Sequence, residues 1–340
     1  MKKLQTRVVG TAALFLCVAL IAGGLTWRLA ARGRADAVSV GANAQAQMEE
    51  ETAFIKWVDF NAPLAVLEQA LRYDIDSRTE AVKLDWIALL AYSAAMNGGV
   101  YKGDKACGHI DALAERLRAG ERMRDIVADM RYYRYYFEAY SAILAGFVGS
   151  YRLLHEDAPR YGLKVYSPVA KAYGFGHCDD FGDARTYGYK RSHLGNDLMG
   201  AVGTPVIAVE GGAVQALGWS EYGGWRVGIR SHDGLRYYYY AHMRKDHPYV
   251  KTLKKGDIVR AGDVIGYMGM TGYSRKENVD NIDVPHLHFG MQLIFDESQE
   301  EGEKEIWIDV YHIVRLLERH RMPVEKDAVT GEYVRAEVAA

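Results

Sequence analysis

Four regimes of hydrophobic spacing follow one another along the chain. Residues 8–27, VVGTAALFLCVALIAGGLTW, hold no charge, and about twenty such residues in a helix span a bilayer. Residues 33–50, GRADAVSVGANAQAQMEE, are small and polar with little to bury, which predicts a spacer. From 62 to 149 apolar residues recur at intervals of three and four, in PLAVLEQALRY, VKLDWIALLAYSAAM, HIDALAERLRAG and DIVADMRYYRYYFEAYSAILAGFVG. That period predicts a bundle of four or five helices, with NGGVYKG as a stop and turn between them.

After Tyr151 the period shortens. TPVIAVEGGAVQALG, WRVGIRS, LRYYYYAHM, GDIVRAGDVIGYMG and HLHFGMQLIF are β-rich runs separated by Gly, Asp and Ser. No ten-residue helical pattern interrupts them, so the predicted sheet is antiparallel and not built from βαβ units. The acidic run DESQEEGEKE reads as a solvated loop, and a last helix is expected over 310–319. The fold class is therefore α+β. Its expected parts are a transmembrane anchor (1–30), a linker (31–52), a helical domain (53–150), a mainly antiparallel β domain (151–325) and a tail (326–340).

Composition changes this picture little. A formal net charge of -2 over 340 residues leaves no cation excess with which to bind nucleic acid by counterion release. Lys2, Lys3 and Arg7 precede the apolar stretch, while Arg28, Arg32 and Arg34 follow it, so flanking charge sets no clear orientation. The stretch is longer than the usual core of a cleaved signal peptide, although Ala35 and Ala37 offer A-x-A spacing. The reading adopted is an uncleaved single-pass anchor with the rest of the chain on the extracytoplasmic side. Of three cysteines, Cys17 lies in the apolar stretch, and Cys107 and Cys178 are expected to stay unpaired.

The candidate chemistry is concentrated in two short stretches. RSHLGNDLMG carries His193 and Asp197 four apart, a spacing compatible with one face of a helix or of a strand. VPHLHFGMQL carries His286 and His288, which in a strand point the same way, about 6.5 Å apart. His242 ends YYYYAHM, where strict alternation puts it on the face of Tyr238 and Tyr240. Such side chains suit a metal site with an open position; each pair alone is also compatible with ordinary hydrogen-bonded histidines. The dipeptide His177–Cys178 is read as packing.

Ser192 to Ile294 resembles the lysostaphin-like zinc endopeptidases that cut peptide bonds in bacterial peptidoglycan. The resemblance rests on HLGNDLMGAVGTPVIAVEGGAVQALG, the later YAHM, LKKGDIVRAGDVIGYMGMTGYS and PHLHFG. It implies that His193, Asp197 and His288 hold Zn2+ while His242 and His286 stand beside the scissile group, one as base and the other facing the oxyanion, in an order left open. DDFGDARTYGYKR, polar, glycine-punctuated and aromatic, reads as a groove-lining loop; within it Tyr187 resembles a family position that faces the oxyanion, with plain packing as the alternative. RKENVDNIDVP is longer than the family's connector and could narrow or cap that groove. The expected substrate is peptidoglycan peptide, with the membrane reached through the N-terminal helix and a protein partner possible through the helical region. The alternatives are a non-catalytic wall-binding or scaffold protein that keeps its zinc site, and a zinc enzyme acting on another exported substrate.

Overall fold

The structure, a computed structural model, describes residues 55–101, 105–152, 158–300 and 304–336. The expected transmembrane helix and linker lie outside the described residues. Among the described residues no helix is long and apolar enough to cross a membrane.

Five helices come first: α1 (Leu64–Asp76), α2 (Trp86–Asn97), α3 (Lys105–Arg118), the single turn α4 (Met123–Ile126) and α5 (Tyr133–Leu144). In α2 the sequence WIALLAYSAAMN is apolar almost all round, which makes it the central helix of the group. It starts where the Asp85 side chain accepts from the Ala88 amide, and it stops at Gly98, whose φ of 62° suits a residue without Cβ.

The β region begins with the hairpin β1 (Val148–Tyr151) and β2 (Arg160–Leu163). Short strands β3 (Gly176–His177), β4 (Ala184–Arg185) and β5 (Arg191–Ser192) lead to β6 (Asn196–Met199) and β7 (Pro205–Ile207). Then follow β8 (Gly212–Ser220), β9 (Gly224–Ser231), β10 (Arg236–Ala241), β11 (Ile258–Val259), β12 (Val264–Tyr267), β13 (His286–Leu293) and β14 (Ile306–Ile308). Helix α6 (Tyr311–Leu317) and the hairpin β15 (Val324–Lys326) and β16 (Tyr333–Arg335) close the described chain. The main sheet runs β11-β8-β9-β10-β13-β6-β3, with β14 also on β13. Its pairings are antiparallel, as the short, uninterrupted strand runs predict.

One hydrophobic core runs through both regions, joining Leu67, Leu90 and Ile143 of the helices to Val227, Phe289 and Leu317 of the β region. The tyrosine run divides across β10. Tyr238 and Tyr240 point into the core, where Tyr238 donates to Glu210 at 2.6 Å and Tyr240 accepts from the Val209 amide at 2.9 Å. Their polar tips are satisfied, so the rings can be buried without an orphaned hydroxyl.

Arg236, 1% exposed, ties the regions together. Its guanidinium donates to both carboxylate oxygens of Glu210 at 2.9 and 3.0 Å, to Asp233 at 2.7 Å and to the Ala142 carbonyl of α5 at 2.7 Å. The acidic run departs from expectation, because Gln299 is 1% exposed. Its side chain caps the Phe295 and Asp296 amides and donates to the Ile55 carbonyl. Cys107 and Cys178 form no disulfide with each other.

Glu210→Ala would leave the Arg236 cation buried with Asp233 as its one remaining carboxylate. Denaturant unfolding should show a loss of about 3 kcal/mol, the lower part of the range for breaking a buried pair.

Candidate metal centre

The centre is built by register. Asp197 on β6 pairs with His288 on β13, which pairs with Ala241 on β10, so the three lie in one row on one face. The intervening residues Leu198, Leu287 and Phe289 turn to the core. His193 reaches the same point from the turn between β5 and β6. That turn can pass close over β13 because residue 195 is glycine. A Cβ there would stand 2.6 Å from the Phe289 carbonyl oxygen and 2.8 Å from the His288 ring.

His193 Nε2 lies 2.7 Å from His288 Nδ1 and 3.1 Å from Asp197 Oδ1, and His288 Nδ1 lies 3.3 Å from that oxygen. Three donor atoms thus converge from two imidazoles and one carboxylate. Among the described residues this is the one group of three or more such side chains close enough to hold a metal. Tetrahedral zinc with bonds of about 2.0–2.2 Å places its donors roughly 3.3 to 3.6 Å apart, so the set fits after slight outward movement.

Asp180 and Arg185 brace the site. His193 Nδ1 faces the Asp180 carbonyl at 3.1 Å and its carboxylate at 3.2 Å, an arrangement that leaves Nε2 to the ligand position. Arg185 donates to Asp180 at 2.7 Å and to the outer oxygen of Asp197 at 3.4 Å. Burial pushes the His193 pKa down, but hydrogen bonds and charge from Asp180 and Asp197 outweigh it and raise the value to about 9. For the Asp197 carboxyl, burial acts upward, yet hydrogen bonds from His193 and His288 hold it far below the usual carboxylate range.

His286 and His242 complete the constellation. His286 Nδ1 donates to the Val284 carbonyl at 2.8 Å, and its Nε2 lies 3.7 Å from Asp197 Oδ1. His242 Nδ1 donates to the Thr271 carbonyl at 2.9 Å, which leaves its Nε2 as the acceptor. The two rings stand 4.8 Å apart in an edge-to-face arrangement. Burial, then the neighbouring His286 and His288, push the His242 pKa well down, so its ring is neutral at pH 7.

Strict alternation does not hold at His242. It lines the same cleft as Tyr237, Tyr239 and Ala241, opposite to Tyr238 and Tyr240. The strand ends at Ala241, and His242 adopts φ 61°, a left-handed conformation that swings its side chain across.

The cleft holds about 670 Å³. Tyr187 packs on the Tyr273 ring at 4.9 Å, and Tyr273 lies 5.8 Å from the His242 ring, so Tyr187 stands one aromatic layer behind the site. Residues 275–285 contribute nothing to the cleft lining, contrary to the expected cap. Asn278 instead accepts from the Trp225 indole and the Asp246 amide. His177 packs on Tyr311 at 4.5 Å, away from the metal group. Asp180 and Arg185 carry no motif of their own; their signal is their place in the polar stretch DDFGDARTYGYKR.

Residues 191–300 match the model of Peptidase family M23. The L-Ala–D-Glu endopeptidase of Bacillus subtilis is 35% identical over 159 residues, 47% of this chain and 45% of that protein. Lysostaphin of Staphylococcus staphylolyticus is 40% identical over 98 residues, 28% of this chain and 18% of its own. The peptidoglycan DD-endopeptidase ShyC of Vibrio cholerae is 30% identical over 102 residues, 30% of this chain and 20% of its own. The chain thus matches less than half the length of these relatives.

Two outcomes follow from the geometry. Since metal at His193 Nε2 needs that nitrogen unprotonated, uptake at pH 7 should release a proton, seen as a buffer-dependent heat in calorimetry. Affinity should then rise roughly tenfold per pH unit toward pH 9 and flatten above it. Gly195→Ala should displace His288 and weaken metal binding roughly 10- to 100-fold, as disturbing the support of a ligand does.

Proposed function

With residues 191–300 forming a peptidase family M23 domain, we propose that this chain is a zinc-dependent endopeptidase that hydrolyses peptide bonds in bacterial peptidoglycan. One observation carries the reading: the His193–Asp197–His288 group lies beside two more histidines, each with Nδ1 tied to a carbonyl and Nε2 left as an acceptor. The names of two relatives, an L-Ala–D-Glu endopeptidase and a peptidoglycan DD-endopeptidase, support the substrate class. The uncharged stretch 8–27 supports a membrane anchor, and a peptidoglycan substrate requires the rest of the chain on the extracytoplasmic side.

His193 Nε2, Asp197 Oδ1 and His288 Nδ1 would hold the zinc. Bound there, zinc supplies Lewis acidity, which polarises a carbonyl and makes water acidic enough to ionise near pH 7. The protein's own groups move the protons. One imidazole, His242 or His286, takes one from water at Nε2 as the new C–O bond forms. It returns that proton to the amine nitrogen as the C–N bond breaks. The other imidazole, once protonated at Nε2, can donate from that nitrogen to the carbonyl oxygen as charge gathers on it. The carbonyls of Thr271 and Val284 hold each Nδ1 as a donor, so Nε2 is the nitrogen at which either ring gains or gives a proton.

Full-length protein, His193→Ala and His242→Ala should be compared for zinc content and for peptide release from purified walls. The native protein should hold about one zinc per chain and cleave. His193→Ala should lose the metal, whereas His242→Ala should keep it and lose cleavage by roughly 100-fold or more. A native protein that binds zinc and releases no peptide from any wall would instead favour a scaffold.

A further inference from the structure

Two arginines in the cleft carry positive charge that no carboxylate among the described residues matches. Arg191, on β5, lines the cleft two residues before His193. Its guanidinium carbon lies 4.9 Å from the Tyr222 ring centre and 5.4 Å from that of Tyr273. Those contacts fix its position on aromatic faces. Its Nε is buried and has no hydrogen-bond partner among the described residues. Arg226, on β9, also lines the cleft. It stands 5.9 Å from the Tyr239 ring, which is itself 5.8 Å from His288.

The carboxylates nearby are already engaged. Asp180 and Asp197 serve Arg185 and the histidines. Glu221 pairs with Arg275 at 3.3 Å, and Glu300 pairs with Arg230 at 2.7 Å. Neither Arg191 nor Arg226 forms an ion pair with any described carboxylate. Partly desolvated guanidiniums without counter-ions are costly, and their forked donors match a carboxylate in shape as well as in charge.

Arg191 and Arg226 line the cleft together with His193, His242 and His288, as do Lys255, Glu300 and Glu305. A neutral, side-chain-free peptide would leave these two cations unpaired when it excluded water from them. A peptide with a carboxylate near the bond to be cut would pair them.

We propose that Arg191 and Arg226 form a carboxylate-recognition subsite beside the metal group, so that the preferred substrate is an acidic peptide and not a glycine bridge. The inference rests on the peptidase reading for its reaction but makes its own demand on binding. The subsite holds a carboxylate of the residue at or next to the scissile bond, and it acts on binding more than on the chemical step.

The test uses one synthetic wall-type peptide in two forms, with its carboxylate next to the scissile bond free or converted to carboxamide, and a pentaglycine. Cleavage by the full-length zinc-loaded protein is measured for each. Equilibrium binding is measured on His242→Ala, in which the peptide should stay intact. The free-carboxylate form should be preferred by roughly 10- to 100-fold in kcat/KM, mostly through KM, as expected for a charge-assisted contact. Arg191→Gln and Arg226→Gln, checked for unchanged zinc content, should each bring the acid-to-amide ratio toward one, and Arg191→Lys should recover part of it.

Equal cleavage and equal binding of the acid and amide forms, or a preference for pentaglycine, would overturn the subsite and leave the peptidase reading intact. No cleavage of any form, with the acid still bound tenfold more tightly than the amide, would sink the peptidase reading and keep the subsite. An acid-to-amide ratio unmoved by either glutamine variant would also overturn the assignment.

Discussion

A single carboxylate oxygen, Asp197 Oδ1, lies within 3.7 Å of ring nitrogens from His193, His286 and His288. The site depends on that convergence, and the convergence depends on strand register. A slip of one residue between β6 and β13 would bring Leu198 or Asn196 opposite His288 and turn the acid toward the core. The register is held by apolar residues on the far face, above all Leu287 and Phe289, so the packing of the core fixes the geometry of the polar face.

Around that point the structure controls which nitrogen each imidazole offers. His193 presents Nε2 because Asp180 takes Nδ1. His242 and His286 present Nε2 because backbone carbonyls take theirs. Close backbone passage is part of the same control, since Gly195 lets the His193 turn cross β13 and Gly272 leaves room beside His242 Nδ1, where a Cβ would stand 3.0 Å away. Arg185 offsets the negative charge of two neighbouring acids. The helices contribute at a distance, through a shared core and through Arg236, which joins α5 to the carboxylates of the β region.

Much of the candidate site could be read directly. HLGND and PHLHFG name four of the five polar side chains, and the period change near Tyr151 separates the helices from the sheet. His242 was legible as a member but not in its direction, because alternation holds only while the strand lasts. The left-handed turn at 242 has no signature in YYYYAHM, where neither glycine nor asparagine marks it. Asp180 and Arg185 escaped because their partners are 13 and 12 residues away and only the fold sets those side chains beside one another. RKENVDNIDVP looked like a cap on length alone. The Asn278 side chain, held by Trp225 and Asp246, tethers it elsewhere.

The chain's own sequence determined the element types and the antiparallel character of the sheet, since both follow from local spacing, while the donor set came from the resemblance that HLGND and PHLHFG carry. The tertiary structure alone decided which nitrogens face inward, which acids neutralise which cations, and that Arg191 and Arg226 have no carboxylate partner among the described residues. Most of those outcomes depend on groups 12 to 29 residues apart, such as Arg185 with Asp197, Asp180 with His193 and Thr271 with His242, being brought within a few ångströms. No local spacing rule reaches that far, because pairing across strands is fixed by the burial of the opposite face.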